Sequence, residues 1–186
     1  MRQNSNSLDA NIVYFDLKTQ KSASEVGGWT NIRRMRLAVG VTYSTGSGRY
    51  ETFFEGDADA LVEELSKADL VVGFNVKRFD YTVLSPYTAV PLRQLPTFDM
   101  LEHVTRTLGF RLSLNTLARA TLNEAKSADG MQSLRWWKAG RVDLITEYCR
   151  RDVEITRRLH EYAREHGHLL YFSRDGRKRR VNTQDW

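Results

Sequence analysis

The chain has 186 residues, enough for one ordinary domain with a real core. It is 41% hydrophobic and 27% charged, a balance that excludes intrinsic disorder, and no apolar run approaches the roughly 18 residues that cross a bilayer. A formal charge of +5 and a pI near 9.4 allow a polyanion partner without requiring one. A single cysteine, Cys149, excludes an intrachain disulfide and a cysteine-rich zinc site, and predicts a reducing, cytoplasmic setting. The N-terminal residues lack the apolar core of a signal peptide, so residues 1–10 are expected to be a disordered polar tail before one domain at 11–186.

In chain order, residues 11–17 are an apolar, β-branched and aromatic run that ends in a carboxylate, Phe15-Asp16-Leu17-Lys18-Thr19. Residues 19–34 are a polar connection with no regular period. Residues 36–43 and 49–54 predict two strands across a Gly-rich turn, hence an antiparallel hairpin. Asp57 is placed to cap a helix running to 67, and 69–74 is a short buried strand. A helix is expected from about 77 to 84, an extended piece at 95–99, then helices at 100–107 and, capped by Ser113, at 114–121.

Residues 123–140 are expected as a loop or broken helix, and 143–165 as the longest helix. Residues 169–183 form a hairpin around Asp175-Gly176. Three strands, a helix, a strand and then helices predict an α/β domain with a mixed β-sheet flanked by helices.

Three carboxylates fall where chemistry is often placed. Asp16 ends the first strand, Asp80 closes Asn75-Val76-Lys77-Arg78-Phe79-Asp80, and Asp152 lies four residues after Tyr148. On a helix that spacing puts the phenol and the carboxylate on one face. Carboxylates converging from a strand and two helices repel one another, and a hard cation such as Mg2+ or Mn2+ is the usual remedy. Two such ions suit in-line phosphodiester cleavage, one lowering the pKa of the attacking water and the other stabilising the leaving oxygen, with Tyr148 able to orient that water. Taken singly, Asp80 also reads as a surface helix residue and Tyr148 as core; it is the ordered set that points to a site.

These motifs resemble the RNase H-like DEDD 3′–5′ exonucleases, and Tyr148-x-x-x-Asp152 resembles their tyrosine-bearing (DEDDy) branch. Glu25-Val26-Gly27-Gly28-Trp29 and the region from Leu112 to Trp137 extend the likeness to predicted bacterial exonucleases related to the proofreading domain of family-B DNA polymerases. The resemblance implies an RNase H-like fold, a two-metal Mg2+ or Mn2+ site and a single-stranded DNA or RNA 3′ end as substrate. It implies metal-binding roles for Asp16, bridging both ions, for Asp152 on the nucleophile side and for Asp80, acting mainly through water. Tyr148 would position the water, and Lys18, Asn75 and Phe79 would lie against the strand. No membrane partner is expected; a repair or nucleic-acid-processing protein is an expected partner.

One position departs from the family. Its first motif is Asp-x-Glu, and this chain has Asp16-Leu17-Lys18. Strand alternation turns 16 and 18 to one face, so an ammonium points where the second carboxylate belongs. At about 4 Å and an effective dielectric near 20, one such contact is worth about 4 kcal/mol, repulsive to a metal and attractive to Asp16 or Asp152. Three outcomes follow for activity. The chain is a pseudo-exonuclease that keeps a nucleic-acid surface; or it works with one metal, or with Glu25 swinging in from the next loop; or Lys18 is an engineered or strain-specific change that disables a working enzyme.

Arg177, Lys178, Arg179 and Arg180 read as phosphate contacts or as a charged hairpin guarding a sheet edge. Trp136 and Trp137 with Lys126 and Lys138 are a candidate stacking platform for an unpaired base, the alternative being burial of at least one tryptophan. His103, His160, His166 and His168 lack metal-ligand spacing and are expected to be structural or exposed.

Overall fold

The computed structural model describes residues 10–124 and 129–186; the expected tail and Lys126 therefore lie outside the described residues, apart from Ala10. Strand β1 (Ile12–Thr19) is central in a five-stranded sheet. It pairs antiparallel with β2 (Leu37–Ser44), which pairs antiparallel with β3 (Arg49–Phe54). On its other side β1 pairs parallel with β4 (Leu70–Gly73), and β4 with β5 (Thr97–Asp99), giving the order β3-β2-β1-β4-β5. This is the expected mixed sheet.

Helices α1 (Ala58–Ser66), α2 (Asp80–Leu84), α3 (Met100–Leu108), α4 (Leu114–Leu122), α5 (Gly130–Lys138) and α6 (Val142–His166) surround it. The polar connection after β1 holds two 3-10 turns, Ser24–Val26 and Trp29–Arg34. Strands β6 (His168–Phe172) and β7 (Lys178–Asn182) form the C-terminal hairpin, turned at Gly176 with φ 76°. Among the described residues no helix is long and apolar enough to cross a membrane.

The period-two alternation of β1 builds two cores. Val13, Phe15 and Leu17 pack on one face with Leu61, Leu65, Val83 and Leu84, while Tyr14 packs on the other with Ile145, Cys149 and Val153. Asp16 and Lys18 share the parity of Tyr14 and so turn toward α6. That helix buries Ile145, Cys149, Asp152, Val153, Thr156, Leu159, His160 and Ala163, an i, i+3, i+4 stripe with Asp152 embedded in it.

Two local expectations need correction. Asp57 does not cap α1 through its side chain; its carboxylate instead accepts from the Phe54 amide at 3.0 Å. The helix expected from 77 begins only at Asp80. Asn75 sits in the left-handed region at φ 70°, and the amides of Asn75 and Lys77 donate to Asp99 at 2.8 and 3.0 Å, so this stretch is a pinned turn.

Gly73 makes that turn possible, because a Cβ there would meet Val76 Cβ at 2.8 Å and the Phe15 carbonyl at 3.0 Å. Gly73→Ala is expected to cost about 1–3 kcal/mol by overpacking. The check is a lower midpoint in denaturant unfolding at unchanged slope.

Candidate functional site

Three elements converge beside the C-terminal half of β1. From β1 come Asp16 and Lys18; from the start of α2 comes Asp80; from consecutive turns of α6 come Tyr148, Cys149 and Asp152. The Asp80 carboxylate accepts from the Leu17 amide at 3.0 Å, which fixes it behind the strand. The Cys149 thiol faces the carbonyl and a carboxylate oxygen of Asp16, each at 3.3 Å. Tyr148 packs edge-on against Trp136, ring centroids 6.1 Å apart.

Lys18 occupies the middle. Its Nζ lies 2.9 Å from Asp16 Oδ2 and 2.5 Å from Asp152 Oδ2, and 4.2 Å from the Tyr148 ring centroid. Burial opposes the ammonium, but Asp152 and Asp16 outweigh it and hold its pKa well above the usual lysine range. Among the described residues Asp80 has no ion-pair partner: burial, then the charge of Asp16, raises its carboxyl well above the usual range. Burial likewise raises the Cys149 thiol, and lifts the Tyr148 phenol to about 12. Both therefore stay protonated at neutral pH, which leaves the Tyr148 hydroxyl a proton to donate.

The donor set does not fit the pair of divalent ions that the family resemblance implies. The Lys18 ammonium, not an open space for a cation, stands between the Asp16 and Asp152 oxygens. Among the described residues no group of three or more His, Cys, Asp or Glu side chains is disposed to hold a metal.

Glu25 offers no replacement ligand. Its carboxylate accepts from the Ser22 amide and hydroxyl, each at 2.8 Å, and pairs with Lys138 at 2.9 Å; these bonds, led by the Ser22 amide, lower its pKa to about 2.

The structure thus brings together Asp16, Lys18, Asp80, Tyr148 and Asp152. Asn75 and Phe79 lie on the segment that leads into Asp80. Of the two readings of Trp136 and Trp137, the structure favours packing: both rings are half-buried against the α6 core, and Lys138 is tied to Glu25. The cause is the amphipathic helix α5, whose apolar side they belong to.

Arg177, Lys178, Arg179 and Arg180 are exposed on the hairpin, and among the described residues no hydrogen bond or ion pair links them to the carboxylate site. His160 is buried against Tyr14, its Nδ1 3.0 Å from the phenol oxygen, and burial lowers its pKa to about 4. Asp99 was missed. It takes the amides of Asn75, Lys77, Leu101 and Glu102, and its only signal is an acidic residue between a short strand and a helix.

A model of the RNase_H superfamily matches residues 33–165, most of the chain, and the chain belongs to that superfamily. The matched segment carries Asp80, Tyr148 and Asp152 and begins after Asp16 and Lys18. Among solved structures, the family B DNA polymerase from the hyperthermophilic archaeon Pyrobaculum calidifontis superposes with a TM-score of 0.63 at 19% identity, over 87% of this chain. That is a likeness of fold, and this chain spans 25% of the polymerase's length. Comparison with curated proteins found no match.

Asp80→Asn retains an acceptor for the Leu17 amide and removes the acid. Since the native carboxyl has the higher pKa, the unfolded chain releases its proton first as pH rises. Native stability then falls upward from about pH 4. In chelator, Asp80→Asn is expected to gain on the order of 1 kcal/mol over the parent near pH 7 and to lose that gain near pH 3. A difference independent of pH in thermal or urea unfolding contradicts this account of Asp80.

Proposed function

We propose that the chain is an exonuclease-type domain of the DEDDy pattern that engages the 3′ end of single-stranded DNA or RNA, with its hydrolytic step impaired by Lys18. The observation that carries this reading is the meeting of Asp16, Asp152 and Tyr148 on the Lys18 ammonium, with Asp80 held beside them on the Leu17 amide. The carboxylates and the tyrosine are the parts that phosphodiester hydrolysis uses in such sites. The ammonium neutralises two of those carboxylates internally, and a cation entering there would have to displace it against a direct charge repulsion.

The residues retain work of their own. Lys18 offers a positive charge and donors to a phosphate oxygen. The Tyr148 hydroxyl donates to a water or phosphate oxygen. Burial and the charge of Asp16 raise the Asp80 carboxyl and weaken its tendency to ionise at the floor of the site. Such a site favours an incoming phosphodiester over a metal.

A second reading, a wholly non-catalytic nucleic-acid-binding module, is favoured by the same short Lys18–Asp152 contact. The two differ in what one substitution does. With a 5′-labelled oligonucleotide and Mn2+, Lys18→Glu is expected to produce a ladder of products shortened from the 3′ end, at least about tenfold faster than the parent. Asp152→Ala in the Lys18→Glu background is expected to remove it. No cutting by Lys18→Glu, with strand binding intact, selects the binding module. A rapid ladder from the parent itself overturns the role given to Lys18.

A further inference from the structure

Three depressions on the surface share one residue, Arg111. The first, about 610 Å³, is lined by Asn75, Lys77, Arg78, Arg93, Arg106 and Arg111. The second, about 290 Å³, brings Arg78 and Arg111 together with Trp29 and Phe79. The third, about 760 Å³, sets Phe110 and Arg111 against Tyr171 and Phe172, with Arg174 and Arg179 from the hairpin. Arg111 donates to the Asn75 side chain at 3.1 Å, and Asn75 opens the segment that ends in Asp80. The run of depressions therefore passes Asn75, on the segment that leads into Asp80, and ends at the basic hairpin.

Its chemistry is aromatic faces alternating with guanidinium groups. Trp29 is 66% exposed and tilts against Phe79, with centroids 6.4 Å apart; Phe110 is 48% exposed and meets Tyr171 edge-on at 6.0 Å. The acids in the first depression are already used. Asp99 is taken up by four backbone amides, and Glu102 pairs with Lys77 at 2.7 Å. Among the described residues, Arg78, Arg93 and Arg111 have no carboxylate partner. Guanidinium groups without a carboxylate partner at intervals, with exposed rings between them, suit a flexible polyanion whose units carry flat faces. An acidic peptide would use the charges and leave the rings idle.

We propose that this Arg111-centred track binds the body of a single nucleic-acid strand whose end lies at the carboxylate site, phosphates on Arg78 and Arg111 and bases on Trp29 and Phe110. The inference rests on the nucleic-acid reading above and adds a site distinct from the carboxylates.

The test is fluorescence anisotropy of the full chain with a labelled thymidylate dodecamer in chelator, over a salt series. Arg111→Ala is expected to weaken binding about tenfold and to flatten the salt dependence by about 0.7 of a logarithmic unit, one phosphate contact on a single strand. Phe110→Ala is expected to weaken it at least about fivefold with the salt dependence unchanged, as loss of stacking requires. Arg111→Lys should keep the salt dependence, and Arg49→Ala, on the far edge strand, should bind like the parent.

If the parent binds the dodecamer and neither Arg111→Ala nor Phe110→Ala changes affinity, the track is overturned while the nucleic-acid reading stands. If the parent has no affinity for the dodecamer at low salt, both fall. Displacement by polyglutamate as effective as by polythymidylate of equal charge assigns the groove to an acidic protein and overturns the inference.

Discussion

The ion triad of Asp16, Lys18 and Asp152 ties the central strand to the long helix, and the character of the site depends on it. A lone ammonium or carboxylate at this depth would carry a desolvation penalty of several kcal/mol. Placed 2.9 and 2.5 Å apart, the three groups satisfy one another. The same contacts that let charged side chains remain between β1 and α6 take up an oxygen of each carboxylate.

The remaining geometry is a consequence of where β1 lies. As the middle strand it is covered on both faces, so its alternate residues serve two cores, and its polar C-terminal end emerges where α6 crosses. Asp80 reaches the same place because Gly73 lets the chain turn close over the Phe15 carbonyl, and because Asp99 gathers the amides of that turn. Asp99 touches no part of the triad, yet it sets the position of the whole Asn75–Asp80 segment. That segment also links the carboxylates to the row of arginines and rings centred on Arg111, so site and surface share one piece of backbone.

Local pattern made the sheet and the main site legible in the sequence. β-branched runs with period two identified the strands, the Asp-Gly turn located the last hairpin, and helical spacing placed Tyr148 and Asp152 on one face. Alternation along β1 was enough to turn Lys18 toward Asp16. Each inference uses neighbours within a few residues, where backbone geometry is stereotyped. Trp136 and Trp137 are drawn partly into the core because residues 130–138 form a helix whose apolar side is covered by α6, a fact of packing that composition does not carry. Glu25 as a spare ligand failed because its loop spends the carboxylate on Ser22 and Lys138.

By itself, then, the sequence determined the α/β layering, the order of elements and which side chains gather at the candidate site, since these follow from periodicity and residue chemistry. Only the tertiary structure decided that the Lys18 ammonium bridges Asp16 and Asp152 across 134 residues of chain. It alone also brought Trp29, Asn75, Arg111 and the hairpin rings onto one continuous surface. Contacts of that span depend on how helices seat against a twisted sheet, and no local propensity encodes that placement.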